Sequence, residues 1–377
     1  MAAGTGRREL LVSKGWVQAV ALVVLFGFFV LGLLAYRAYS GQPPIPERVV
    51  DPSGRVVFTG QDVTAGQGVF LKNGLMQYGS IFGHGAYLGP DYTADHLRRS
   101  ALSVCESYGG EGSDEAAVRT VEDFKENRYD PESRTLEFTG AQAAAFGELR
   151  GYYGDYFGEP TTRYGLRPEA IKDPEEIRQL TAYFAWTAWA ASALRPELDY
   201  TYTNNWPPEP LVENEPTGEV VVWSVLSLVA LLGGIGLLFA AFGLWNFLGW
   251  RGREQATLSF RAPSDVALTP AQRACAWFFL VMAALFMIQT LVGAASEHYR
   301  ADLASFFGID LAQVLPYNLM RTWHVQLAIF WVATSFLAAG IFLAPMIAGR
   351  EPRGQHFLAY GLLGALAVVV FGSMIGE

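Results

Sequence analysis

Five long apolar runs constrain the fold of this 377-residue chain more than any other feature. They cover residues 15–36, 220–250, 274–295, 324–347 and 356–376, and none carries a charged side chain in its interior. A helix needs about 20 residues to cross a bilayer, so each run is long enough. The first run is too long for a secretory signal and is followed by no typical cleavage site. It therefore predicts a retained anchor, and the whole chain is predicted to be a mainly α-helical, polytopic membrane protein.

The orientation follows from basic residues in the short loops. They gather before the first run, between the second and third, and between the fourth and fifth. In an alternation of five spans these three sets fall on one side, which the positive-inside rule makes cytoplasmic. The sequence thus predicts a cytoplasmic N-terminus (1–14), a transmembrane anchor (15–36), an outward-facing periplasmic or extracellular domain (37–217) and further transmembrane helices (218–377).

Charge and cysteine content exclude several classes of function. The net charge is −9, and residues 37–217 hold 27 acidic and 16 basic side chains, so no basic face for nucleic acid is expected. The two cysteines, Cys105 and Cys275, cannot form a zinc or iron–sulfur site alone, and both are interpreted as structural. No Cys-x-x-Cys-His occurs, which excludes a covalently attached c-type haem.

His324 is the histidine most suggestive of chemistry. It is expected to open the fourth apolar helix at its outer end, with Arg321 three residues earlier on about the same face. An imidazole with a guanidinium nearby suits b-type haem, with iron on nitrogen and propionates on arginine. An interfacial histidine in polar packing is the alternative, and the pattern alone favours it slightly.

A second candidate pair lies beyond the third run. His298 and Asp302 are four residues apart and share a face if that helix continues outward. With Phe306 close in sequence, they could bind a quinol head group and accept its protons. From spacing alone, a surface pair that caps the span is favoured.

The segments between the first two runs predict local structure. Residues 66–92 are interpreted as a glycine-rich turn system, with His84 and His96 facing solvent. Residues 173–193 predict a helix whose aromatic second half is buried. Residues 199–216, with four prolines, predict an extended connector.

Three long stretches resemble the quinol-dependent nitric oxide reductases of the haem–copper oxidase superfamily. They are YFAWTAWAASALRPELDYTYTNNWPPEPL, HYRADLASFFGIDL and RTWHVQLAIFWVATSFLAAGIFLAP. The resemblance implies a cytochrome-c-like domain that has lost its haem, fused to a haem-bearing helical bundle. Leu75–Gly79 stands where cytochrome-c-containing relatives carry Cys-x-x-Cys-His, so the electrons would come from a membrane quinol.

The resemblance also assigns site residues. His324 matches the low-spin haem b ligand of this helix, and His298 matches the quinol-site histidine. Asp302 stands where the family usually has glutamate, so the carboxylate is kept on a shorter side chain. Gly85 and Tyr87 match positions that help to hold a calcium ion near the haem propionates in the cytochrome-c-dependent relatives.

The resemblance implies a reaction in which two nitric oxide molecules are reduced to nitrous oxide and water in the bacterial cytoplasmic (inner) membrane. Family members are much longer, and their non-haem iron, high-spin haem b and second low-spin ligand are held by later helices. The chain is therefore expected to be an N-terminal portion that is not catalytically complete alone. The alternatives are a haem-binding membrane subunit that needs a second polypeptide, or a fragment of a nitric oxide dismutase-like enzyme.

Overall fold

The computed structural model describes residues 14–85, 88–159, 165–203, 208–215, 218–243, 267–301, 308–348 and 350–376. The helices within these ranges are α1 (Lys14–Ser40), α2 (Gly60–Lys72), α3 (Leu75–Tyr78), α4 (Tyr92–Ser107), α5 (Asp114–Lys125), α6 (Gly140–Gly158), α7 (Pro174–Ser192), α8 (Gly218–Gly243), α9 (Pro270–Ala301), α10 (Tyr317–Ala348) and α11 (Gln355–Ile375). The strands are β1 (Arg48–Val50), β2 (Val56–Thr59), β3 (Tyr129–Asp130) and β4 (Thr135–Glu137). Short 3-10 helices cover Pro210–Val212 and Leu311–Gln313.

The five predicted spans correspond to α1, α8, α9, α10 and α11. All five are long and apolar enough to cross a membrane. The chain is thus a mainly helical, polytopic membrane protein, as the sequence predicted. By contact, it divides into two compact units, residues 1–44 with 216–259 and residues 45–215 with 260–377. The first unit contains α1 and α8, whose apolar side chains are largely exposed where they are described.

Two of the spans begin earlier than the hydropathy predicted. α9 begins at Pro270 and continues to Ala301, so the helix does extend past His298. α10 begins at Tyr317, and His324 is therefore two turns inside the helix. The prediction that His324 opens this helix is wrong, because the polar residues before it are also helical.

In the second unit, residues 45–215 form what we call the globular domain. Its sheet has the strand order β2-β1-β4-β3, in which β1 pairs with β4 in parallel and the other pairs are antiparallel. The helices supply most of the core, and α7 is its centre because its second half is buried almost throughout. Asp173 caps α7 through the Glu175 amide, with Pro174 in the first turn. This confirms the predicted helix and its buried aromatic half.

α2 packs closely on α7 through a glycine. A Cβ atom at Gly66 would overlap the carbonyl oxygen of Gln179, so only glycine permits this approach. Arg178 of α7 donates hydrogen bonds of 2.9 and 2.6 Å to the two carboxylate oxygens of Asp62 in α2. Gly66 therefore belongs to a helix–helix contact and not to the predicted turn system, which is confined to residues after Lys72.

Aromatic side chains fill the centre of the globular domain. The Tyr92 and Phe184 rings are stacked, with centroids 4.6 Å apart and planes within 3°. The hydroxyls of Tyr78 and Tyr156 are 3.0 Å apart and share a hydrogen bond. Tyr78, in the segment Leu75–Gly79, is fully buried. A packed aromatic core thus surrounds this segment.

The segment before α8 differs from the predicted extended connector. Thr201, Val212 and Asn214 are fully buried. Glu209 accepts a hydrogen bond of 2.9 Å from Arg98 of α4 and pairs through its backbone with Asn214. The described part of this segment packs against the domain because its polar groups find partners on α4 and α5.

Hydrogen bonds join the globular domain to the N-terminal end of α10. The Tyr317 amide donates to the carbonyl oxygen of Gly165 at 2.9 Å. Asn318 Nδ2 donates to the carbonyl oxygen of Asn73 at 2.8 Å. Gly74 follows Asn73 and has φ near +60°. A Cβ atom at Gly74 would lie 2.9 Å from Nδ2 of the Asn318 side chain. The start of α10 is therefore fixed against the globular domain.

α9, α10 and α11 form what we call the bundle. Near the C-terminal end of α11, Trp323 Nε1 donates to the carbonyl oxygen of Met374 at 3.1 Å. At the opposite end, Glu351 accepts from the Ala271 amide at 3.1 Å and so satisfies a free N–H at the start of α9. Both ends of the three-helix group thus have polar contacts in addition to apolar packing.

Candidate functional site

His324 lies between α10 and α9, half-buried. Its Nδ1 atom is 3.0 Å from the backbone carbonyl oxygen of Gln289, and its Nε2 atom is 3.2 Å from the Gln289 side-chain nitrogen. A carbonyl oxygen can only accept a hydrogen bond, so the ring proton is placed on Nδ1. The lone pair is therefore on Nε2. This is the tautomer that a histidine needs in order to bind a metal through Nε2.

Glycine makes room for this imidazole on α9. A Cβ atom at Gly293 would lie 2.5 Å from Cε1 of His324 and 2.7 Å from its Nδ1. Real Cβ contacts do not come this close, so the ring occupies space that only a glycine leaves free. Sequence reasoning found His324 but missed Gln289 and Gly293, because neither belongs to a recognisable motif.

Arg321 is one turn nearer the start of α10 and is half-buried. The helix therefore places Arg321 and His324 on about the same face, as their spacing predicted. A half-buried imidazole with a neutral Nε2 acceptor and a guanidinium one turn away fits a haem with its propionates toward the N-terminal end of α10. The donor set of these two residues is thus compatible with haem b, whose presence remains a prediction.

The predicted quinol residues are only partly described. His298 is in the last turns of α9 and is half-buried. Asp302 and Phe306 lie outside the described residues. The pairing of His298 with Asp302 therefore stays a prediction, although α9 does continue past His298 as that prediction required.

The predicted calcium residues are in the loop before α4. Gly85 is exposed and has φ near +95°, and Tyr87 lies outside the described residues. Asp91 organises this loop, because its Oδ2 accepts from Ser80 Oγ at 2.6 Å and from the Gly83 amide at 2.7 Å. Its Oδ1 caps α4 through the Ala94 amide. Within the described ranges, no group of three or more His, Cys, Asp or Glu side chains could hold a metal ion.

His96 contradicts its predicted position. It is 3% exposed, in contrast to the exposed His84, and its ring stacks on Tyr153 at 5.9 Å. His96 and Trp189 border a small cavity of about 20 Å³, and the Nδ1 atom of the first and the Nε1 atom of the second are buried without a hydrogen-bond partner in the structure. Burial in these apolar surroundings lowers the pKa of His96 to about 3.

A larger cavity of about 190 Å³ lies where the globular domain meets α10. Its lining includes Lys72, Gly74, Arg167, Asn318 and Thr322. Lys72 is paired with Glu176 at 2.7 Å, so its charge is already balanced. The cavity borders the face of α10 that the globular domain holds, and it contains no histidine.

Two protein families match this chain. The model described as the cytochrome c-like domain of the nitric oxide reductase NorB matches residues 46–208. The model described as cytochrome c and quinol oxidase polypeptide I matches residues 273–376. In the comparison with curated proteins, no sequence matches the chain. The first match covers the globular domain, and the second covers the bundle together with His298, Arg321 and His324.

Proposed function

The chain belongs to the NorB type of nitric oxide reductase in the haem–copper oxidase superfamily, and from this premise we propose that it carries the quinol-oxidising part of such an enzyme. The order of the two matched domains along one chain supports the family. The contact between His324 Nδ1 and the Gln289 carbonyl carries the proposal for the site, because it leaves the lone pair on Nε2.

In this proposal, His324 would bind the iron of haem b through Nε2, and Arg321 would bind the haem propionates. Bound haem b supplies one-electron transfer between quinol and the site of nitric oxide reduction. His298, with Asp302 and Phe306, binds the quinol head group, and the imidazole and carboxylate accept the two hydroxyl protons as electrons leave. Gly85 and Tyr87 contribute to a calcium site.

The overall reaction proposed is the reduction of two nitric oxide molecules to nitrous oxide and water. It takes place in the bacterial inner membrane, with the globular domain facing outward. Five histidines in the sequence, with no metal-binding cluster in the described residues, support the view that further helices must supply the N–N coupling centre. A high-spin haem b and a non-haem iron would be held there.

A haem-binding protein that acts with a second polypeptide is the second candidate. The same shortage of clustered ligands among the described residues favours it, since such a protein would need only His324 and its surroundings. A dismutase-like enzyme is less favoured, because an imidazole at 298 with an acid at 302 suits quinol oxidation.

The test is to express the chain, record its haem spectrum and measure quinol-driven consumption of nitric oxide. We expect a five-coordinate haem b spectrum, because the second ligand lies in later helices, and no turnover. His324→Ala should abolish the haem band, whereas His356→Ala at the other end of the bundle should leave it unchanged. Equal haem content in parent and His324→Ala would overturn the ligand assignment, and robust turnover would overturn the view that the coupling centre needs further helices.

A further inference from the structure

The His324 ring is held from one side by two residues of a single helix. Gln289 and Gly293 are four residues apart, so they lie one above the other on the same face of α9. Gln289 meets both ring nitrogens, and Gly293 lies against the ring edge between them. These contacts are disturbed if either α9 residue changes its side chain or its backbone shifts.

Gly293 is costly in a helix unless it serves a contact. Glycine inside a helix is less favourable than alanine because its backbone loses more conformational freedom. Gly340 of α10 lies in open space, with no atom within 4 Å of a Cβ built there, whereas a Cβ at Gly293 meets the imidazole at 2.5 Å. The three atoms nearest to a Cβ at Gly293 all belong to the ring of His324.

Gln289 contacts the ring through two different groups. Its backbone carbonyl accepts the Nδ1 proton at 3.0 Å and so fixes the tautomer. Its side-chain amide nitrogen lies 3.2 Å from Nε2 and 3.4 Å from Nδ1, so it packs against the ring and is not in line with the Nε2 lone pair. The amide therefore does not take the position that a metal on Nε2 would occupy.

We propose that Gly293 and Gln289 are positioning residues for His324, in which Gly293 gives the ring its place and the backbone carbonyl of Gln289 sets its proton. This rests on the proposed function of His324 as a haem ligand. The carbonyl keeps its contact with Nδ1 when haem binds, so Nε2 stays the metal-binding nitrogen.

The first test measures haem in the full-length chain. Gly293→Ala should lower haem content at least tenfold, because the added methyl displaces the ring, and the control Gly340→Ala should keep the parental content. Gln289→Leu changes the side chain but keeps the backbone carbonyl that sets the tautomer. It should therefore retain the parental haem affinity, and a loss as large as that of Gly293→Ala would overturn the role of the carbonyl. The readouts are the Soret band, the haem titration curve and the reduction potential.

A second test needs no haem. Gly293→Ala should lower the melting temperature of the chain in detergent, and the same substitution in a His324→Ala background should not, because the clashing ring is gone. If Gly293→Ala lowers the melting temperature equally in both backgrounds, the proposed contact between Gly293 and the His324 ring is overturned. Loss of haem in His324→Ala with parental haem in Gly293→Ala would overturn the positioning role alone. If the parent chain binds no haem, or if His324→Ala keeps the parental haem content, the proposed function is overturned as well.

Discussion

Replacing His96 by leucine should remove much of the acid sensitivity of the globular domain. The imidazole is 3% exposed, stacks on Tyr153 and borders a small cavity with Trp189. Burial lowers its pKa from 6.5 to about 3, so the folded domain keeps the ring neutral. The unfolded chain protonates it near pH 6.5, and the difference in proton binding links folding to pH.

The sign follows from that difference. Between about pH 6.5 and 3 the unfolded chain binds one proton that the folded chain does not, so the free energy of unfolding falls as the pH falls. Integration from pH 7.5 to 5 gives a loss of about 2 kcal/mol for this residue. The contribution is fully present above pH 7 and is lost progressively toward pH 3.

The assay is urea unfolding of the full chain in detergent, followed by tryptophan fluorescence at pH 7.5 and pH 5. The parent should lose about 2 kcal/mol more than His96→Leu over this interval, because the carboxylates shared by both proteins cancel in the comparison. The exposed His84 supplies the control, and His84→Leu should retain the parental loss. The reasoning is refuted if His96→Leu and the parent lose the same free energy.

Three further predictions concern contacts of the globular domain. Gly66→Ala should lower the free energy of unfolding by about 3 kcal/mol or more, because the added methyl meets the backbone of α7. Gly68 lies on the same helix in open space, so Gly68→Ala should raise the free energy of unfolding by about 0.5–1 kcal/mol. Urea unfolding of the two variants measures both changes. Arg178→Gln should cost about 2 kcal/mol at pH 7 because it leaves the Asp62 carboxylate partly buried, and pH-dependent melting should show the cost shrinking below pH 4 as that carboxyl protonates. Asn318→Ala should loosen the start of α10, seen as faster amide exchange there with unchanged exchange in α7.

Hydropathy and capping patterns were sufficient to predict much of the fold. The five spans, the α7 helix with its proline start, and the buried aromatic face all follow from local sequence because apolar periodicity and helix caps act over short distances. Boundaries were less accurate, since the polar first turns of α10 are held by partners distant in sequence. Gly165 and Asn73 supply those partners, and no pattern near residue 317 indicates them.

The site could be predicted only where a residue type carries its own chemistry. An imidazole at an apolar boundary is conspicuous, and so His324 was found. Gln289 and Gly293 are ordinary residues of a transmembrane helix, and their role depends on which face of α9 meets α10. His96 was misplaced for a related reason, because a single histidine in a polar helix gives no sign that tertiary packing buries it.

The contacts at the start of α10 give the globular domain a mechanical role. Asn318 is fixed to the Asn73 carbonyl, and His324 follows six residues later, about 9 Å along a rigid helix. The domain therefore fixes the position of the imidazole along the axis of α10, relative to its neighbour α9. Removal of the domain would therefore free the start of α10 and let the imidazole move out of register with Gln289 and Gly293 of α9.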